Sequence, residues 1–144
     1  AAIGVKLGKK NKKVVCLVGD GGFSSTYQAL ATAKELDIAV IWIILNNYEY
    51  AGITTIMEAA YGKSFGTYFR KENTKEPFNP DFVKVAEANG IEGARVHKAD
   101  EYEKVLRKAV RSNKPFVIDV IIDSSAKPII PGYWDIYDRI LKPK

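Results

Sequence analysis

Apolar residues follow two alternating rhythms along this chain. Lys13 to Val18 and Ile38 to Leu45 are β-branched runs without polar interruption, the pattern of parallel strands covered on both faces. Between them Tyr27, Leu30, Ala31, Ala33 and Leu36 recur at helical spacing, with Ser24 or Ser25 placed to cap the helix. Tyr50 to Ala60 reads as a second helix closed by Gly62, and Ser64 to Pro80, polar, aromatic and proline-punctuated, as a long surface loop. Pro80-Asp81 opens a helix that runs to Asn89-Gly90, where glycine suits a stop. Gly93 to His97 is a strand. Asp100 to Ser112 is a helix with Tyr102, Val105, Leu106 and Ala109 on one stripe, and Phe116 to Ile122 is the last buried strand. This alternation predicts an α/β fold, a doubly wound parallel sheet with helices on both faces and right-handed crossovers, as one domain over residues 1–144. Ala1 to Gly8 reads as the middle of a helix with no cap, so a fragment of a longer chain, or one subunit that needs a separate partner chain, is expected.

Composition narrows the picture. With 144 residues, 47% hydrophobic and 27% charged, the chain fits one folded domain and neither a disordered nor a collagen-like one. Its longest apolar run, Ile38 to Leu45, falls well short of the roughly 20 residues of a membrane helix, so no membrane partner is expected. The formal charge of +5 comes from lysines grouped at Lys9, Lys10, Lys12 and Lys13 and at Lys142 and Lys144, while the rest alternate with acids. That is a solvated surface, and no nucleic-acid partner is expected. A lone cysteine, Cys16, makes neither an internal disulfide nor a multi-thiolate zinc site. This fits a reducing compartment, no secretion signal is legible, and a cytoplasmic location is expected. Its neighbours Val14, Val15 and Leu17 place Cys16 in the core.

In an open α/β sheet ligands bind beyond the carboxyl ends of the strands. The first strand runs out into Gly19-Asp20-Gly21-Gly22-Phe23 and then a helix. Glycines permit backbone angles closed to other residues and let main-chain N–H groups approach a ligand, and a helix start favours an anion. The dinucleotide fingerprint and the nucleotide-hydrolase phosphate loop are both absent. Asp20 between glycines instead suits a metal ion that neutralises a phosphate, or caps the helix as an ordinary turn aspartate. The second strand ends in Asn46-Asn47, and Asn47 lies 27 residues beyond Asp20, one strand-helix-strand unit on. Adjacent parallel strands would then deliver a carboxylate and a carboxamide oxygen to one edge, as an oxygen-seeking Mg²⁺ requires; the alternative is a plain turn at Asn46-Asn47.

Gly-Asp-Gly, a spacer of under thirty residues and Asn-Asn closing a hydrophobic strand resemble the cofactor motif of thiamine diphosphate enzymes. Nearly the whole chain is similar to the C-terminal pyrophosphate-binding domain of the acetolactate synthase and 2-oxo acid decarboxylase family. The likeness includes Ala1-Ala2-Ile3-Gly4, Gln28-Ala29-Leu30-Ala31-Thr32-Ala33 and Asn79-Pro80-Asp81-Phe82. The resemblance implies that Asp20, the side chain of Asn47 and the main-chain carbonyl of Glu49 ligate Mg²⁺. It implies that Gly21 and Gly22 donate N–H groups to thiamine diphosphate, with Gly19, Phe23, Tyr50 and Gly52 around the same turns. It implies decarboxylation and carboligation of 2-oxo acids through a thiazolium ylid, most like acetolactate synthase, with a 2-oxo acid decarboxylase or 2-hydroxyacyl-CoA lyase as the alternative. The chain departs from the family's pattern where Ala51 precedes Gly52 and where Ala29 replaces a frequent acid.

Family members are several times longer, and the resemblance places their catalytic glutamate on a separate pyrimidine-binding domain, in the same or a partner chain of a homo-oligomer. No catalytic residue is therefore assigned here, no turnover is expected of the isolated chain, and Glu49, Glu58, Glu72 and Glu76 read as solvated surface. A non-catalytic α/β domain binding a nucleotide or a protein partner, with a structural Asp20, is the reading from another class. His97, the single histidine, ends a strand and is a surface residue or an acid/base group. Tyr61, Phe65, Tyr68 and Phe69 either close over substrate or pack beneath their loop, and Tyr133 and Trp134 are expected to anchor the tail, across the mouth of the site or against another subunit.

Overall fold

The computed structural model describes residues 1–125; the tail residues Tyr133, Trp134, Lys142 and Lys144 lie outside them. The described elements run α1 (Ala2–Gly8), β1 (Val14–Gly19), α2 (Asp20–Ser24), α3 (Ala29–Glu35), β2 (Val40–Asn46), α4 (Ala51–Tyr61), α5 (Phe82–Ala88), β3 (Glu92–Val96), α6 (Ala99–Ser112) and β4 (Phe116–Ile121). All four strands pair in parallel, in the order β1-β2-β4-β3. Val14 lies opposite Val40, Ile41 opposite Phe116, and Gly93 opposite Val117.

Alternation along the strands sorts their side chains into two cores. Val14, Val40, Trp42, Ile44 and Val117 meet Phe23 of α2, Leu30 and Ala33 of α3, and Phe82 and Ala86 of α5. On the opposite face Ile41, Ile43, Phe116 and Ile118 pack against Ala109 of α6, with Tyr102, Val105 and Leu106 at the margin. Each such large side chain stabilises the fold by about 1.5–3 kcal/mol on burial, before the entropy of ordering it is subtracted. The expected doubly wound sheet with helices on both faces is what forms.

Local signals act where expected in several places. Gly62 takes the left-handed conformation at φ 69° and its N–H closes α4 on Glu58 O at 2.9 Å. Asp81 caps α5, its carboxylate accepting from Lys84 N at 3.3 Å. The first crossover differs from expectation. Helix begins at Asp20 itself and breaks after Ser24, so neither serine is an N-cap; Ser25 instead donates through its hydroxyl to Gly21 O. In α3 only Leu30 and Ala33 are buried, while Ala31 and Leu36 face solvent.

β1 is likewise not covered on both faces among the described residues. Val15 and Leu17, on the α6 side of the sheet, are 48% and 65% exposed because α6 lies over β3 and β4 and does not reach the edge. Cys16 is half-buried at the margin of the first core, and burial pushes its thiol pKa up. No described helix is long and apolar enough to cross a membrane.

Candidate functional site

The carboxyl ends of β1 and β2 converge. Asp20 follows Gly19 directly, opens α2 and is 1% exposed. Its Oδ1 accepts from Gly21 N at 3.0 Å, and its Oδ2 accepts from Tyr48 N at 2.8 Å and Asn79 Nδ2 at 2.7 Å. Tyr48 is the residue after Asn47, so the Asp20 carboxylate reaches the backbone beside the asparagine pair. Tyr48 sits at φ 60°, the sharp bend that brings this loop back towards β1. Burial pushes the Asp20 carboxyl above the usual range, and the bonds from Asn79, Gly21 and Tyr48 offset only part of that rise. Among the described residues Asp20 has no cationic partner.

The glycines serve a purpose other than unusual backbone angles. Gly19, Gly21 and Gly22 all have negative φ, with positive-φ glycines confined to Gly62, Gly66 and Gly90 among the described residues. Gly21 marks a close approach: a Cβ there would lie 2.1 Å from Cε1 of Tyr50, whose ring would have to shift. Gly22 is exposed, and Gly19 has open space where a side chain would be. The Phe23 side chain belongs to the core, edge-to-face with Phe82 at 5.3 Å, so only its main chain is placed to face a ligand. Tyr50 caps α4, packs its ring on Phe69 at 4.6 Å and donates its N–H to Thr67 O at 2.8 Å. Gly52 lies in the first turn of α4.

Asn47 is half-buried, and its Oδ1 accepts from Glu49 N at 3.3 Å. Glu49 is 4% exposed and bridges to Tyr68, against the expected solvated glutamate, because the 64–80 loop folds over it. Glu58, Glu72, Glu76 and His97 are exposed. Beside Asn47 to Glu49 opens a cleft of about 320 Å³, walled opposite by Tyr68, Phe69, Arg70 and Pro77. Tyr61 and Phe65 lie outside that wall and are exposed. The Thr67 hydroxyl is buried without a hydrogen-bond partner among the described residues. Among the described residues no three His, Cys, Asp or Glu side chains converge. A cation at this edge would therefore be held by one carboxylate together with amide and carbonyl oxygens.

Sequence reasoning missed the residues behind Asp20. Asn79 Nδ2 bonds both Asp20 and, at 2.8 Å, Asn46 Oδ1; Asn46 Nδ2 donates to Asp119 Oδ1 at 3.0 Å; and Arg95 Nε donates to Asp119 Oδ2 at 2.8 Å. One signal was available. Asp119 is a lone acid inside the apolar run from Phe116 to Ile122, and a buried carboxylate demands a partner.

A parallel α/β sheet with polar side chains gathered at its carboxyl edge is the class of domain that binds ligands there. Residues 1–120 match the family described as "Thiamine pyrophosphate enzyme, C-terminal TPP binding domain", and the chain belongs to that family. It is 36% identical over 132 residues to the probable acetolactate synthase large subunit of Methanocaldococcus jannaschii, covering 91% of this chain and 21% of that protein. It is 32% identical over 143 residues to the mitochondrial acetolactate synthase of Schizosaccharomyces pombe, covering 98% of this chain and 20% of that one. A solved thiamine diphosphate-dependent 4-hydroxybenzoylformate decarboxylase from Rhodococcus jostii RHA1 superposes with a TM-score of 0.72 at 27% identity, over 85% of this chain and 22% of that one. The chain thus spans about one-fifth of the length of these curated relatives.

Proposed function

We propose that this chain holds thiamine diphosphate and Mg²⁺ for an enzyme acting on 2-oxo acids, most like acetolactate synthase. One observation carries the metal half of this reading: Asp20 is a buried carboxylate with no cationic partner among the described residues. Such a charge costs several kcal/mol unless compensated, and a divalent cation supplies the compensation. Asp20, Asn47 Oδ1 and the Glu49 carbonyl form a hard-oxygen donor set of the kind Mg²⁺ prefers. The exposed Gly22, in the first turn of α2, offers its N–H to a diphosphate without a side chain in the way. Tyr50 and Gly21 pack together and fix the two turns against each other.

When bound, thiamine diphosphate supplies a nucleophilic thiazolium carbon and an electron sink. This chain's part is to bind and orient it. The residue that acts on the pyrimidine ring belongs to a pyrimidine-binding domain, in the same or a partner chain of a homo-oligomer, and the substrate is a small 2-oxo acid. The relatives named acetolactate synthase, at higher identity, favour carboligation over the simple decarboxylation that the structural neighbour's name describes.

Calorimetry on the protein together with its pyrimidine-binding domain tests the reading. Thiamine diphosphate is expected to bind only with Mg²⁺, to lose binding in Asp20→Ala and to bind more weakly in Asn47→Ala. Tight binding of an adenine nucleotide with no response to thiamine diphosphate would assign the chain to a different class.

A further inference from the structure

The side chains behind Asp20 form a closed ring whose two amides are oriented by the buried carboxylates on either side of them, Asp119 and Asp20. Asp119 is 0% exposed. An ionised carboxylate only accepts hydrogen bonds, and with Arg95 Nε on its Oδ2, Asp119 turns Oδ1 to Asn46. Asn46 must therefore present Nδ2 to Asp119, which leaves its Oδ1 facing Asn79. Asn79 in turn must present Nδ2 to Asn46, and the second hydrogen of that same nitrogen goes to Asp20 Oδ2. Flipping either amide would set a carbonyl oxygen against a carboxylate. The ring closes through the backbone: Arg95 Nη2 also donates to Asp81 Oδ1 at 3.1 Å, two residues after Asn79, so one guanidinium ties down both Asp119 and the Asn79-Pro80-Asp81 corner. Sheet topology brings the parts together. Arg95 and Asp119 are direct register partners on β3 and β4, and β4 lies between β3 and the β2 strand that ends in Asn46.

We propose that Asn79 is the positioning residue for Asp20, and that the Arg95–Asp119 pair, acting through Asn46, holds the Asn79 amide where it donates to that carboxylate. In this role Asn79 acts through the carboxylate, holding it aimed before the cation arrives. Partners one step behind a metal ligand are worth about ten- to hundredfold in metal affinity. The inference rests on the reading of Asp20 as a Mg²⁺ ligand.

The test is a calorimetric Mg²⁺ titration of the complete protein at saturating thiamine diphosphate, paired with thermal melts of each cofactor-free variant. Asn79→Ala is expected to raise the Mg²⁺ half-saturation concentration about ten- to hundredfold. Arg95→Ala is expected to raise it in the same direction, and the double variant to be no weaker than Asn79→Ala alone, since both act through one amide. Arg95→Lys, which keeps the cation, is expected to stay nearer to wild type than Arg95→Ala. If Asn79→Ala lowers only the melting temperature and binds Mg²⁺ like wild type, Asn79 is merely structural and the proposal fails. If the two penalties multiply, the relay from Arg95 fails. Should the Arg95 variants not fold, the loop variant Asn79→Ala decides alone. A wild-type protein that binds no thiamine diphosphate with Mg²⁺ overturns the parent reading, an outcome distinct from both.

Discussion

Asp20 carries two opposed demands, since the burial that suits it to a cation also penalises its own charge. In the cofactor-free fold its pKa is raised, so the folded state holds the proton more tightly than the unfolded chain does. Stability contributed by this group is then greatest below the ordinary value of 3.8 and falls as pH rises through the raised one. Thermal melts across that range, without cofactor, should show the wild type losing stability relative to Asp20→Asn as pH increases. Parallel curves would mean that the carboxyl does not titrate in the folded state as described. Asp20 and the Asn46-Asn47 pair were legible because a carboxylate and two carboxamides at neighbouring strand ends form a spacing pattern. Asn79 was not. It lies 59 residues from Asp20, and only the folded loop shows that its amide faces two strand ends at once.

At the level of elements, period and punctuation located each strand to within about two residues, and glycine and aspartate marked the ends of α4 and α5. The failures have physical causes. Two glycines at its start argue against a helix, yet α2 forms there because Phe23 buries its ring against Phe82. A β-branched run also reads the same whether its strand is central or at an edge, so the bare face of β1 was not visible. Asp81 is an element end that the sequence did mark, and it can be tested. Asp81→Ala removes the cap of α5 and is expected to cost about 1 kcal/mol in denaturant unfolding, the exposed part of the Arg95 contact adding little. An unchanged midpoint would show that the cap bond at 3.3 Å contributes nothing.

At the scale of the molecule, one side of β1 is uncovered among the described residues. Val15 and Leu17 present an apolar strip on an edge strand whose outer backbone groups are unpaired among the described residues, a template for association. The 144-residue chain alone is expected to self-associate with rising concentration. Leu17→Lys should suppress this in light scattering while shifting unfolding free energy by no more than about 0.5 kcal/mol. Persistent association in that variant would locate the contact elsewhere.

The order β1-β2-β4-β3 also has a consequence for a chain emerging from the ribosome. β1 and β2 can zip together as soon as both have left the exit tunnel. β3 must wait beside an empty slot, because the strand that joins it to β2 is the last of the four to be synthesised. Asp119 travels on that latecomer, so Asn46 and Arg95 lack the carboxylate that links them until β4 has followed.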